Sequence, residues 1–135
     1  MAENKIIPTE LTEYSDLELT VHVERLLCNL GISKSLKGYR YLIRAIELVY
    51  AEPSAIRNVI TGLYRRIADE YNTNASCVER NCRTAIGLMW HKSELGFLEE
   101  YFPYAESETP PSVREFTALL ADKLKRNLID FGEDI

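Results

Sequence analysis

Apolar residues recur along this chain at helical rather than strand spacing. Leu19, Val23, Leu26, Leu27 and Leu30 stand three and four apart, so at about 100° per residue they form one stripe. Ser15, with Glu18 three positions on, is a capping box that opens this helix, and Gly31 ends it. A second stripe, Tyr39, Leu42, Ile43, Ile46, Val49 and Tyr50, predicts a helix from about Leu36 to Tyr50, with Lys37, Arg40 and Arg44 on other faces and Pro53 closing the connection. Ser54 to Tyr71 reads as helix interrupted near Gly62. Val78, Cys82, Ala85, Ile86 and Met89 make the stripe of a further helix to about Lys92. Glu94–Tyr101 reads as a short helix and Pro103–Pro111 as a loop. Ser112 with Glu115 caps a last helix whose apolar face is Phe116, Leu119, Leu120, Leu124 and Leu128. Alternating strand patterns and repeats are absent, so the expected fold class is all-α. The expected organisation is a flexible arm over residues 1–14 and one helical domain over residues 15–135.

Within this series, residues 67–86 have the layout of a helix-turn-helix. Such a motif needs a small residue where its helices cross, a tight turn, and a second helix with an outer face free to enter the major groove. Ala68 is the small residue, and Asn72 tolerates the left-handed backbone of the turn. Ser76 with Glu79 reads as a capping box that starts the second helix. Opposite its apolar stripe lie Ser76, Cys77, Arg80, Arg83, Thr84, Gly87 and His91. Arginines grip guanine edges or phosphates with two donors, and small neighbours allow close approach. Glu79, on the flank, either accepts from a cytosine amino group or pairs with Arg83 one turn later.

These residues, with Lys37-Gly38-Tyr39-Arg40-Tyr41-Leu42 and Ala45-Ile46 upstream, resemble the DNA-binding effector domain of the master sporulation response regulator of endospore-forming bacteria. The likeness runs from about Val23 to Leu124. Its most specific pieces are Leu30-Gly31-Ile32, Lys37-Gly38-Tyr39, Ile67-Ala68 with Tyr71-Asn72-Thr73, and Ala75-Ser76 with Val78-Glu79-Arg80; Arg83, Ala85-Ile86 and Trp90 extend it. The resemblance implies a compact six-helix domain that binds short promoter boxes resembling TGTCGAA, often in tandem, with Glu79, Arg80 and Arg83 touching bases. Cys77 departs from the family by replacing a basic residue, Thr84 by replacing a histidine, and Arg65 by standing where a proline is common. Family members also have an amino-terminal receiver domain, whereas about twenty residues precede the likeness here. The chain is therefore expected to be either a free-standing effector domain or a piece of a longer regulator.

The 135 residues, 46% hydrophobic, suffice for one domain with a core. A net charge of −5 looks unsuited to a polyanion until it is divided along the chain. Residues 1–30 hold two basic and six acidic groups, 31–92 ten and five, and 93–135 four and ten. Screening beyond about 8–10 Å at physiological salt lets the basic middle act on its own. Three cysteines without CxxC spacing fit free thiols: Cys28 and Cys82 are expected to be buried and Cys77 exposed. With no membrane span or secretory leader, a cytoplasmic location is expected.

Catalytic chemistry is not expected. His22 and His91 are isolated, no HExxH, GxGxxG or phosphate-loop pattern occurs, and neither a cofactor nor a metal is implied. Tyr39, Tyr41, Tyr50 and Tyr64 stand at the spacing of core and rim rather than of a base-stacking platform. Lys37, Arg40, Arg44, Arg65 and Arg66 are candidate phosphate contacts, with Arg65 and Arg66 favoured because the first helix of such motifs crosses the backbone. Ser76, Cys77 and Thr84 are expected beside them. The expected partner is double-stranded DNA, with self-association on tandem sites and a protein partner supplying the receiver function left open. The rival reading is a protein-interaction module that keeps the fold and modulates a full-length regulator, supported by the acidic ends.

Overall fold

The computed structural model describes residues 14–93, 98–102 and 109–134. Five α-helices appear among them: α1 (Asp16–Leu30), α2 (Lys37–Ala51), α3 (Arg65–Glu70), α4 (Ala75–Lys92) and α5 (Val113–Asp134). Between α2 and α3 lie a 3₁₀ segment (Pro53–Asn58) and a π-helical segment (Val59–Tyr64). Counted as one block, this run makes six helical segments, and no strand occurs among the described residues. The architecture is all-α, as the periodicity predicts. Residues 1–13 of the arm expected over 1–14, the start of the expected helix at Glu94, most of the Pro103–Pro111 loop and the side chain of Leu128 lie outside the described residues.

Local chemistry accounts for most helix ends. Ser15 and Glu18 exchange hydrogen bonds, the Glu18 amide reaching the Ser15 hydroxyl at 3.2 Å and the Ser15 amide reaching Glu18 Oε1 at 3.0 Å. Ser112 and Glu115 do the same at the start of α5. Gly31 leaves α1 at φ 93°, a left-handed backbone that favours glycine. The helix expected over 54–71 with an interruption near Gly62 is resolved into the 3₁₀, π and α3 sequence, Gly62 lying in the π-helical part. Pro53 cannot donate to a preceding turn, and the chain changes its winding twice before Arg65.

Helix α2 is the centre. Tyr39, Tyr41, Leu42, Ala45, Ile46, Leu48, Val49 and Tyr50 are all buried, a wider apolar face than the one stripe expected, because α1, α4 and α5 all pack on it. The four tyrosines Tyr39, Tyr41, Tyr50 and Tyr64 are buried, as core residues should be. Phe116, Leu120 and Leu124 of α5 enter the same core, where Phe102 stacks on Phe116 and meets Trp90 edge-on. Where α2 crosses α4, Gly38 lies against the α4 backbone: a Cβ there would stand 2.2 Å from the Asn81 carbonyl oxygen and 3.0 Å from Ala85 Cβ. Only hydrogen fits at that position.

Cys28 corrects an expectation. It is exposed rather than buried, with its Sγ 4.0 Å from the Tyr39 hydroxyl. Position 28 lies beside the α1 stripe and not on it. Tyr39, pushed up to about 12 chiefly by its own burial, stays protonated there.

Candidate nucleic-acid interface

The turn between α3 and α4 is closed by backbone alone. The Tyr71 amide donates back to Ile67 and Ala68, and the Thr73 amide reaches the Ala68 carbonyl at 2.9 Å. Asn72, at φ 55°, takes the left-handed conformation that lets this happen. Ile67 and Ala68 are buried, so α3 can approach α4 closely. The chain thus runs helix, tight turn, helix from α3 to α4, an order consistent with the helix-turn-helix expected there.

The start of α4 differs from expectation. Asn74, not Ser76, is the cap: its Oδ1 accepts from the Cys77 amide at 2.8 Å, and the helix begins at Ala75. Ser76 stands exposed in the first turn. The cap moves back two residues because the turn ends with Thr73, and Asn74 is the first polar side chain in extended backbone beyond it.

The two faces of α4 separate cleanly. Val78, Cys82, Ala85, Ile86, Met89 and Trp90 are buried, and burial pushes the Cys82 thiol up. Ser76, Arg80, Arg83, Thr84 and His91 are exposed, Cys77 and Glu79 half-buried. The outer face therefore assembles every predicted contact of this helix. Arg83 is 65% exposed and reaches Glu79 only loosely, at 3.7 Å, while Arg80 has no ion-pair partner among the described residues. Leu88, 48% exposed, continues the same face and was not anticipated. Arg65 and Arg66 are exposed in the first turn of α3, also without an ion-pair partner among the described residues.

Cys77 sits among polar groups. A hydrogen bond from Thr73, above all, then the charges of Arg80 and Lys37 and the Asn81 amide, hold its thiol below the usual range. Asn81 Nδ2 reaches its Sγ at 3.3 Å and its carbonyl at 2.8 Å.

Arg44 is a second correction. Expected among the phosphate contacts, it is instead committed to carboxylates, its Nε and Nη2 gripping Glu70 at 2.7 and 3.1 Å and its Nη1 meeting Glu47 at 3.3 Å. Glu47 in turn accepts from Thr20 of α1. This chain of contacts ties the end of α3 to α2 and α1. Glu70 is far from Arg44 in sequence, so no helical spacing announces the pair.

Gly38 and Lys34 were also missed as contributors. A glycine inside a strongly periodic helix is a signal of close packing, and Lys34, Lys37 and Arg40, three apart, fall along one side of the α2 start.

Among the described residues no group of three or more His, Cys, Asp or Glu side chains could hold a metal ion, and no helix is long and apolar enough to cross a membrane. Compared with known families, residues 23–124 of the 135 match the model described as sporulation initiation factor Spo0A C terminal.

Proposed function

The chain belongs to the Spo0A C-terminal family, a DNA-binding regulatory domain of sporulation, and on that premise we propose that it reads a short promoter box with the outer face of α4. In this reading Arg80 and Arg83 contact base edges and Glu79 assists. Arg65, Arg66, Ser76, Cys77 and Thr84 position the helix on the phosphate backbone. The observation that supports it most is the exposed Arg80, without an ion-pair partner among the described residues, beside a loosely held Arg83 on the helix that follows the tight turn at Asn72. An arginine without a carboxylate partner keeps all its donors for a ligand.

The test is a gel shift on a TGTCGAA-type box against scrambled DNA at two salt concentrations. Arg80→Ala is expected to cost about 1–3 kcal/mol on the box and to flatten discrimination, since a bidentate pair with guanine is lost. Arg66→Ala is expected to weaken both duplexes alike, because phosphate contacts position without specifying. A protein that ignored both duplexes would sink the proposal and leave the interaction-module reading in its place. Self-association is expected only on tandem boxes, since Phe116, Leu120 and Leu124 are used up in the core; a stable dimer without DNA in sedimentation would contradict this.

A further inference from the structure

A cleft of about 530 Å³ opens between the start of α2 and the turn of the helix-turn-helix. On one side stand Lys34, Lys37 and Arg40, on the other Tyr71, Asn72 and Thr73. All three cations are exposed, none has an ion-pair partner among the described residues, and no acidic residue lines the cleft. An adjoining hollow shares Lys34, Arg40 and Tyr71 with this cleft and adds Arg44 together with the carboxylates Glu24 and Glu47. What distinguishes the side that faces the turn is that its lining cations have no lining carboxylate to offset them.

We propose that this cleft receives a phosphate of the DNA backbone, extending the contact surface from α4 to the amino-terminal end of α2. The proposal rests on the DNA-binding reading above and adds to it a second element of the fold. Three lines meet here. The cleft walls include the turn that delivers the chain into α4, which puts the cleft beside the amino-terminal end of that helix. The charges of Lys37 and Arg80 both act on Cys77, which places the cleft and the proposed reading helix in one electrostatic neighbourhood. Finally, three like charges brought together without carboxylates repel one another, and an anion relieves that repulsion.

The expected outcome is sequence-independent, because backbone phosphates position a protein without specifying it. In fluorescence anisotropy across a salt series, the triple variant Lys34→Ala, Lys37→Ala, Arg40→Ala should lose about one unit of the slope of log affinity against log salt. Affinity should fall roughly five-fold at physiological salt, equally on the TGTCGAA-type box and on scrambled DNA. Lys34→Glu alone, in the loop before α2, should shift the slope in the same direction, and both variants should keep the parent's melting curve. If the parent binds and Arg66→Ala lowers its slope while these variants leave it unchanged, the cleft proposal falls and the DNA reading stands. If the triple variant instead loses preference for the box, the cleft residues touch bases and the phosphate assignment is wrong. A parent that binds neither duplex overturns both.

Discussion

Helices α2 and α4 cross at Gly38, each burying an apolar face and carrying arginines on the remainder. What those arginines touch sets the two helices apart. Arg44, midway along α2, is held by Glu70 and Glu47, so its charge is neutralised within the protein. Arg80 of α4 has no such partner among the described residues, and Arg83 reaches its own only at 3.7 Å. Two basic helices of similar composition therefore do different work: one ties the fold together and the other is available to a ligand. The division even runs within α2, whose first turns carry Lys37 and Arg40, without an ion-pair partner among the described residues.

The largest effect expected from disturbing this arrangement is at the crossing itself. Gly38→Val would drive side-chain atoms into the Asn81 carbonyl, a backbone atom that cannot step aside. A loss of about 3 kcal/mol or more is expected in urea unfolding. An unchanged midpoint would mean that the two helices are not packed this closely.

Next comes the contrast between the arginines. Arg80→Ala is expected to weaken box binding by about 1–3 kcal/mol while leaving the thermal midpoint in place, because the side chain is exposed. Arg44→Ala should do the reverse, costing about 1 kcal/mol of stability, an amount kept small because both partners are about one-third exposed. Exchanging the charges, Arg44→Glu with Glu70→Arg, should restore part of that loss. The comparison would fail if Arg44→Ala lowered the salt slope of DNA binding as much as Arg66→Ala did.

The smallest effects concern Cys77. Cys77→Arg should steepen the salt dependence of DNA binding by about one unit, and an unchanged slope would mean that this position does not meet the backbone. The depressed thiol pKa enlarges the thiolate fraction below the usual thiol range, so Cys77 should alkylate fastest of the three cysteines near neutral pH, Cys82 reacting only on unfolding. Thr73→Val should slow the Cys77 reaction, which mass spectrometry of the labelled peptides would read.

Much of this molecule was legible along the chain. The stripes of α1, α4 and α5 appear as spaced apolar residues because a helix repeats every few positions, so its buried face is a local property. Ser15 with Glu18, Ser112 with Glu115, Gly31 and Asn72 mark their ends for the same reason, since caps and turns are made by neighbours in sequence. The sequence likewise placed Arg80, Arg83 and Thr84 on the outer face of α4, and that face is exposed.

Tertiary structure decided what depends on residues distant in the chain. Whether Arg44 is free was settled by Glu70 arriving from α3, and whether α2 has one buried face or several was settled by α1, α4 and α5 closing round it. The need for glycine at position 38 exists only because the α4 backbone lies there. The cleft of Lys34, Lys37 and Arg40 has its other wall in the turn at Tyr71–Thr73. Even the cap of α4 shifted from Ser76 to Asn74 once the real end of the turn was known. Periodicity tells which side of a helix turns inward, but a charge pair, a crossing point or a cleft needs two segments, and only the folded chain brings those together.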